Sequence, residues 1–238
     1  MTPFFKKSNR RRRMAWVAAT VFAALLPTIV IVYKRTTTHH VDVQPNDRPV
    51  AVKLEKQREK HTCGFHALSM TYRAYGLEPA EEKLRYRLGV DIKSLVWLSD
   101  SEGSLHPDIY MMLSQDHFLI ETLDPDETGT VEAFLDHLDT GHLAILLMLK
   151  GEERNMHWVV AGPADRSGKQ GRTFQLFDPL EEKPGQPVPQ TFFQQRVVSA
   201  LLIEPANGRE TLTSTKAHTE GSKELIRAGQ RAAEKKKS

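Results

Sequence analysis

The sequence predicts an α+β domain, and three observations carry that expectation. Four stretches between Cys63 and Leu138 place apolar residues at helical spacing, and three of them stop at a glycine. The unbroken apolar run Leu143–Leu149 then opens a series of short strand-like segments. Polar turns containing Gly separate the first three of these segments. Helices first and strands second, segregated along one chain, make α+β architecture.

The elements follow in order. Cys63 to Tyr75 carries Phe65, Leu68, Tyr72 and Tyr75 on one face and stops at Gly76. A second helix runs from Pro79, in its first turn, to Leu88 before Gly89, and a third covers Leu105 to Gln115. Thr130 to Leu138 is a fourth, with Thr130 expected as its cap and Gly141 as its stop. Strands are expected at Leu143–Leu149, Met156–Ala161, Arg172–Phe177 and Val197–Ile203, with a short helix over Gln190–Gln195. Residues 205–238 are polar and basic without an apolar face, so they are expected to form a disordered tail, or a short solvated helix near Lys223–Lys235.

Ahead of this domain, Met14 to Tyr33 is an uncharged run rich in Ala, Val, Leu and Ile. A run of about 20 residues at about 1.5 Å each spans a hydrocarbon core of about 30 Å. Lys6, Lys7 and Arg10–Arg13 precede it and only Lys34 and Arg35 follow, which orients the N-terminus towards the cytoplasm. No small-residue cleavage site ends the run, so an uncleaved signal anchor is expected over a cleaved signal peptide. The implied organisation is a basic N-terminus (1–13), a transmembrane anchor (14–33), a linker (34–50), one domain outside the cytoplasm (51–204) and the tail (205–238).

Charge excludes one class of function. The net charge is +3 over 238 residues, but the basic groups flanking the apolar run and those in the tail carry the excess and leave residues 36–204 at −9. An acidic folded part argues against a nucleic-acid partner. The chain has one cysteine, Cys63, so it can form neither an internal disulfide nor a multi-cysteine metal site. The vicinal His39 and His40 in the linker, and Cys63-x-x-His66, lack further ligands at metal spacing.

Cys63 stands at the first turn of a helix, where unpaired backbone N–H groups and the helix dipole stabilise a thiolate. A thiolate nucleophile needs a histidine held by a third polar group. His157 lies on the strand Met156–Ala161, and Asp178 follows the strand Arg172–Phe177 just before Pro179. If those strands are antiparallel neighbours, Asp178 can reach the imidazole and fix its tautomer. Gln57, six residues before Cys63, can donate its amide to an oxyanion beside the Cys63 backbone N–H. No cofactor is required.

These residues resemble peptidase family C39, the papain-like peptidases of bacteriocin-exporting transporters. The resemblance rests on Gln57-Arg-Glu-Lys-His-Thr-Cys63-Gly64, on Glu102-Gly103-Ser104-Leu105, on His157-Trp-Val-Val and on Phe177-Asp178-Pro179, in that order over about residues 50–204. It implies a papain-like cysteine peptidase fold, with Cys63 as nucleophile, His157 as base, Asp178 as orienter and Gln57 as oxyanion donor. It also implies a peptide or protein substrate, cut in some members after a Gly-Gly leader. This chain departs from the commonest family architecture in lacking a multi-span domain and a Walker motif, and in placing Thr62 before the cysteine. A peptide-binding module without catalysis, and an acyl transferase on the same fold, are the alternatives.

Overall fold

The computed structural model describes residues 44–59, 61–90, 104–151, 155–163, 172–183 and 185–237. The expected membrane anchor, the basic run before it and part of the linker fall outside these residues. Among the described residues no helix is long and apolar enough to cross a membrane.

A mixed fold of helices and one antiparallel sheet emerges. The helices are α1 (Cys63–Ala74), α2 (Glu81–Leu88), α3 (His106–Gln115), α4 (Thr130–Asp139), α5 (Thr191–Arg196) and α6 (Ser214–Lys235). The strands are β1 (Phe118–Leu123), β2 (Leu143–Lys150), β3 (Asn155–Gly162), β4 (Thr173–Phe177), β5 (Gln186–Pro189) and β6 (Val197–Pro205). They form a six-stranded sheet in the order β1-β6-β2-β3-β4-β5, with every neighbouring pair antiparallel.

The apolar run that announced β2 is buried because both faces of the strand are covered. Leu143, Ile145, Leu147 and Leu149 pack with residues of α1, α2, α3 and α6. Ala144, Leu146 and Met148 pack on the opposite face with Phe134, Leu135 and Leu138 of α4 and Phe193 of α5. The sheet thus lies between two helical layers. On the first face a buried polar knot fastens three helices: Asp116 accepts from Tyr72 at 2.6 Å and from Arg87 at 2.9 and 3.1 Å. Removing one partner of such a knot would strand the others without water.

Three expectations are corrected. The tail, expected to be disordered or a short solvated helix near Lys223–Lys235, instead forms α6, 22 residues long, which packs on α3. Its buried face consists of Ala217, Gly221, Glu224, Ala228, Arg231 and Ala232. That face is small and ionic rather than bulky and apolar, so a search for large hydrophobic residues overlooks it. Thr130 does not cap α4: Gly129, in the left-handed region, is the N-cap, and the Thr130 hydroxyl donates to the Glu127 carbonyl at 2.6 Å. Two edge strands, β1 and β5, were not expected. β5 carries Pro187 and Pro189, residues that a sheet accepts only at its edge.

Candidate active site

The first turn of α1 is left open for chemistry. Thr62, its N-cap, makes no side-chain capping bond, because its hydroxyl donates to the Glu59 carbonyl at 2.9 Å. No acidic side chain occupies the turn. Nothing therefore competes with an anion at Cys63 for the positive end of the helix. Cys63 is half-buried and free.

The sheet register brings the other two groups together. Val160 pairs with Phe177, and extending that ladder by one residue sets Asp178 opposite Val159. Asp178 then lies diagonally across from His157 on the same face. There the imidazole Nε2 meets Asp178 Oδ1 at 2.7 Å, with both side chains buried. Cys63 also acts on the His157 ring, by hydrogen bonding and by charge. Burial pulls the His157 pKa down, but the hydrogen bonds and negative charge of Asp178 and Cys63 outweigh it and raise the pKa to about 9. For Asp178, burial pushes up while His157, Lys150 and the Leu180 N–H pull down harder, leaving its carboxyl at about 2. The pair is therefore a carboxylate holding an imidazolium near neutral pH.

Gln57 is buried beside the same turns. Its backbone N–H donates to the Pro179 carbonyl at 2.7 Å, which ties the segment before α1 to the turn carrying Asp178. Its amide Nε2 donates to the Glu59 carbonyl at 2.5 Å, while Oε1 is buried without a partner. Reversing the amide would set two oxygens against each other, so this orientation is favoured, and it leaves the second Nε2 hydrogen for a ligand. The sheet and α1 thus bring Cys63, His157 and Asp178 together, whereas the Gln57 side chain is bonded to Glu59 instead of to any of the three.

Behind Cys63 the packing is too close for any side chain at Gly64. A Cβ there would lie 2.5 Å from Ser104 Cβ and 3.1 Å from the Trp158 ring. The Trp158 indole N–H in turn donates to the Ser104 carbonyl at 3.0 Å. Cys63-Gly64, Ser104-Leu105 and His157-Trp158 therefore form one packed unit. Sequence reasoning missed Lys150, which ends the apolar β2 and donates to both Asp178 Oδ2 and Glu181 Oε1. The only signal was a lone cation closing an otherwise apolar run.

His66 sits 3.6 Å from Glu55, and among the described residues no group of three or more ligands could hold a metal. A cavity of about 460 Å³, lined by Phe118, Glu121, His137, Glu204 and Leu212 among others, includes none of the four expected site residues. It lies towards the end of β6 that pairs with the start of β1, whereas His157 aligns through Met148 with Val197 at the beginning of β6.

No family model matches the chain, and no curated protein matches it. Among solved structures the chain is similar to the peptidase domain of Streptococcus ComA, a bi-functional ABC transporter involved in a quorum-sensing pathway. That match has 18% identity over 65% of this chain and 99% of that one, with a TM-score of 0.48. It is also similar to the peptidase domain of Streptococcus mutans ComA in complex with a small-molecule inhibitor, at 16% identity over 64% of this chain and 99% of that one, with a TM-score of 0.40.

Proposed function

We propose that the protein is a membrane-anchored cysteine peptidase of the C39 type, acting on a peptide or protein substrate outside the cytoplasm. The observation that carries the reading is the buried His157–Asp178 pair, acted on by Cys63 from an open helix start. In the reaction the Cys63 proton already rests on His157 as part of a thiolate–imidazolium pair, and the thiolate attacks the scissile carbonyl. The imidazolium then protonates the leaving amine, and water resolves the thioester. The Cys63 backbone N–H and the spare amide hydrogen of Gln57 would hold the oxyanion. Asp178 keeps the imidazole in the productive orientation. The run Met14–Tyr33, with its excess of basic residues on the N-terminal side, supports the anchor and its direction.

The test is a peptide-library digest with the full-length chain, run beside iodoacetamide labelling of Cys63. Cys63→Ala should abolish turnover, and His157→Ala should abolish turnover and slow labelling. Gln57→Ala should lower kcat by about 10²–10³ while leaving labelling intact. Labelling indifferent to His157, with no cleavage of any peptide, would leave only a binding module.

A further inference from the structure

Three adjacent strands present their chemistry on one face at one end of the sheet. Lys150 ends β2, His157 opens β3 and Asp178 follows β4, and the register Met148–His157 and Lys150–Asn155 puts Lys150 and His157 on the same side. Asp178 has two oxygens and each has a partner: Oδ1 takes His157 and the Leu180 N–H, and Oδ2 takes Lys150. Lys150 also donates to Glu181 Oε1 at 2.9 Å, which clips the end of β2 to the turn that carries the carboxylate. Its side chain is about three-quarters buried.

We propose that Lys150 is a positioning residue for the reaction: it divides the Asp178 carboxylate with His157 and so limits how firmly the imidazolium keeps its proton. This inference rests on the peptidase reading above. Without Lys150, a buried carboxylate would spend its whole charge on one imidazolium. An imidazolium held that tightly is a weaker acid towards the leaving amine, so the general-acid step slows. Among the described residues, the other titratable groups near the cluster are Cys63 from α1, Glu181 beside Asp178, and the exposed Lys56–Glu182 pair at 3.4 Å. Residues 152–154 of the β2–β3 turn lie outside the described residues. Burial lowers the Lys150 pKa, but its bonds to Asp178 and Glu181 more than reverse this, so it stays cationic.

The experiment titrates the His157 ring by NMR in the full-length chain, assigning its signal by loss in His157→Gln, and records kcat and KM against pH. Lys150→Met and Lys150→Gln should both move the His157 titration and the alkaline limb upward by roughly half to one pH unit. In both, kcat should fall several-fold with KM little changed, and Lys150→Arg should restore the wild-type profile. A His157 titration that stays put or moves down in folded Lys150→Gln overturns the proposal, as does a Lys150→Arg profile that matches Lys150→Met. If no form of the chain cleaves any peptide, the peptidase reading fails. The His157 titration would still decide whether Lys150 shares the carboxylate.

Discussion

Two histidines meet the same tryptophan and live in opposite surroundings. His157 precedes Trp158 in β3, pairs with Asp178 through Nε2, and feels Cys63 as well. His106, at the start of α3, packs edge-on against the Trp158 ring with centroids 4.8 Å apart, is fully buried, and has no partner on either nitrogen. Burial, helped by the Arg231 charge, pushes the His106 pKa down to about 3, whereas His157 is raised to about 9. Burial acts in the same direction on both rings, so the difference lies in the partners. A histidine is held protonated here where a carboxylate and a cysteine act on it, and is a neutral packing element where no such group does.

The sharpest way to break the contrast is to make His157 resemble His106. Asp178→Asn removes the charge that holds the imidazolium, so burial prevails and the His157 titration should fall from about 9 towards or below 6.5. Turnover should drop by roughly 10³–10⁴-fold, as when an orienting carboxylate is lost beside a catalytic histidine. An unchanged kcat would show that Asp178 only holds the turn. A smaller effect is expected on the other side of Trp158. Arg231 of α6 is paired with buried Glu224, and Arg231→Met would leave that carboxylate without its cation. The expected loss is about 3–5 kcal/mol of unfolding free energy, read by denaturant titration. A loss within experimental error would mean that α6 is dispensable. The smallest effect at neutral pH should come from His106→Phe, which keeps the contact with Trp158.

That last variant separates the two rings by pH. A folded pKa raised to about 9 means that the stability contributed by His157 is complete below about 6.5 and is lost as pH rises through about 9. His106 has the opposite sign. Its stability is present above about 6.5 and is lost as pH falls towards about 3, because the unfolded chain binds a proton that the folded chain refuses. His106→Phe should therefore flatten the acid side of the stability curve and leave the alkaline side alone. A variant that loses stability on acidification as steeply as the parent would place the acid sensitivity elsewhere.

Much of this was legible in the sequence, and the failures have physical reasons. The helix opened by Cys63 and the strands around His157 and Asp178 follow from bulky apolar periodicity, which large side chains write plainly. α6 was hidden because its inward face carries Ala, Gly and an ion pair in place of Leu or Ile. Gly221 is needed there: a Cβ at that position would lie 2.6 Å from the Pro107 Cα. The coupling of Gly64 to Ser104 was invisible for a similar reason, since close approach of backbones leaves no hydrophobic signal. Lys150 escaped because a strand-end lysine ordinarily faces solvent. Only the neighbouring turn shows that this one faces Asp178.

One irregularity in the sheet has a consequence for synthesis. Between Leu147–Ser199 and Met148–Val197 the β2–β6 register slips, leaving Val198 as the extra residue of a bulge. The Val198 carbonyl accepts from Arg231 Nε at 2.5 Å, across 33 residues of chain. A ribosome delivers β6 before Arg231, so wherever the sheet forms before α6 docks, the Val198 carbonyl waits without this donor.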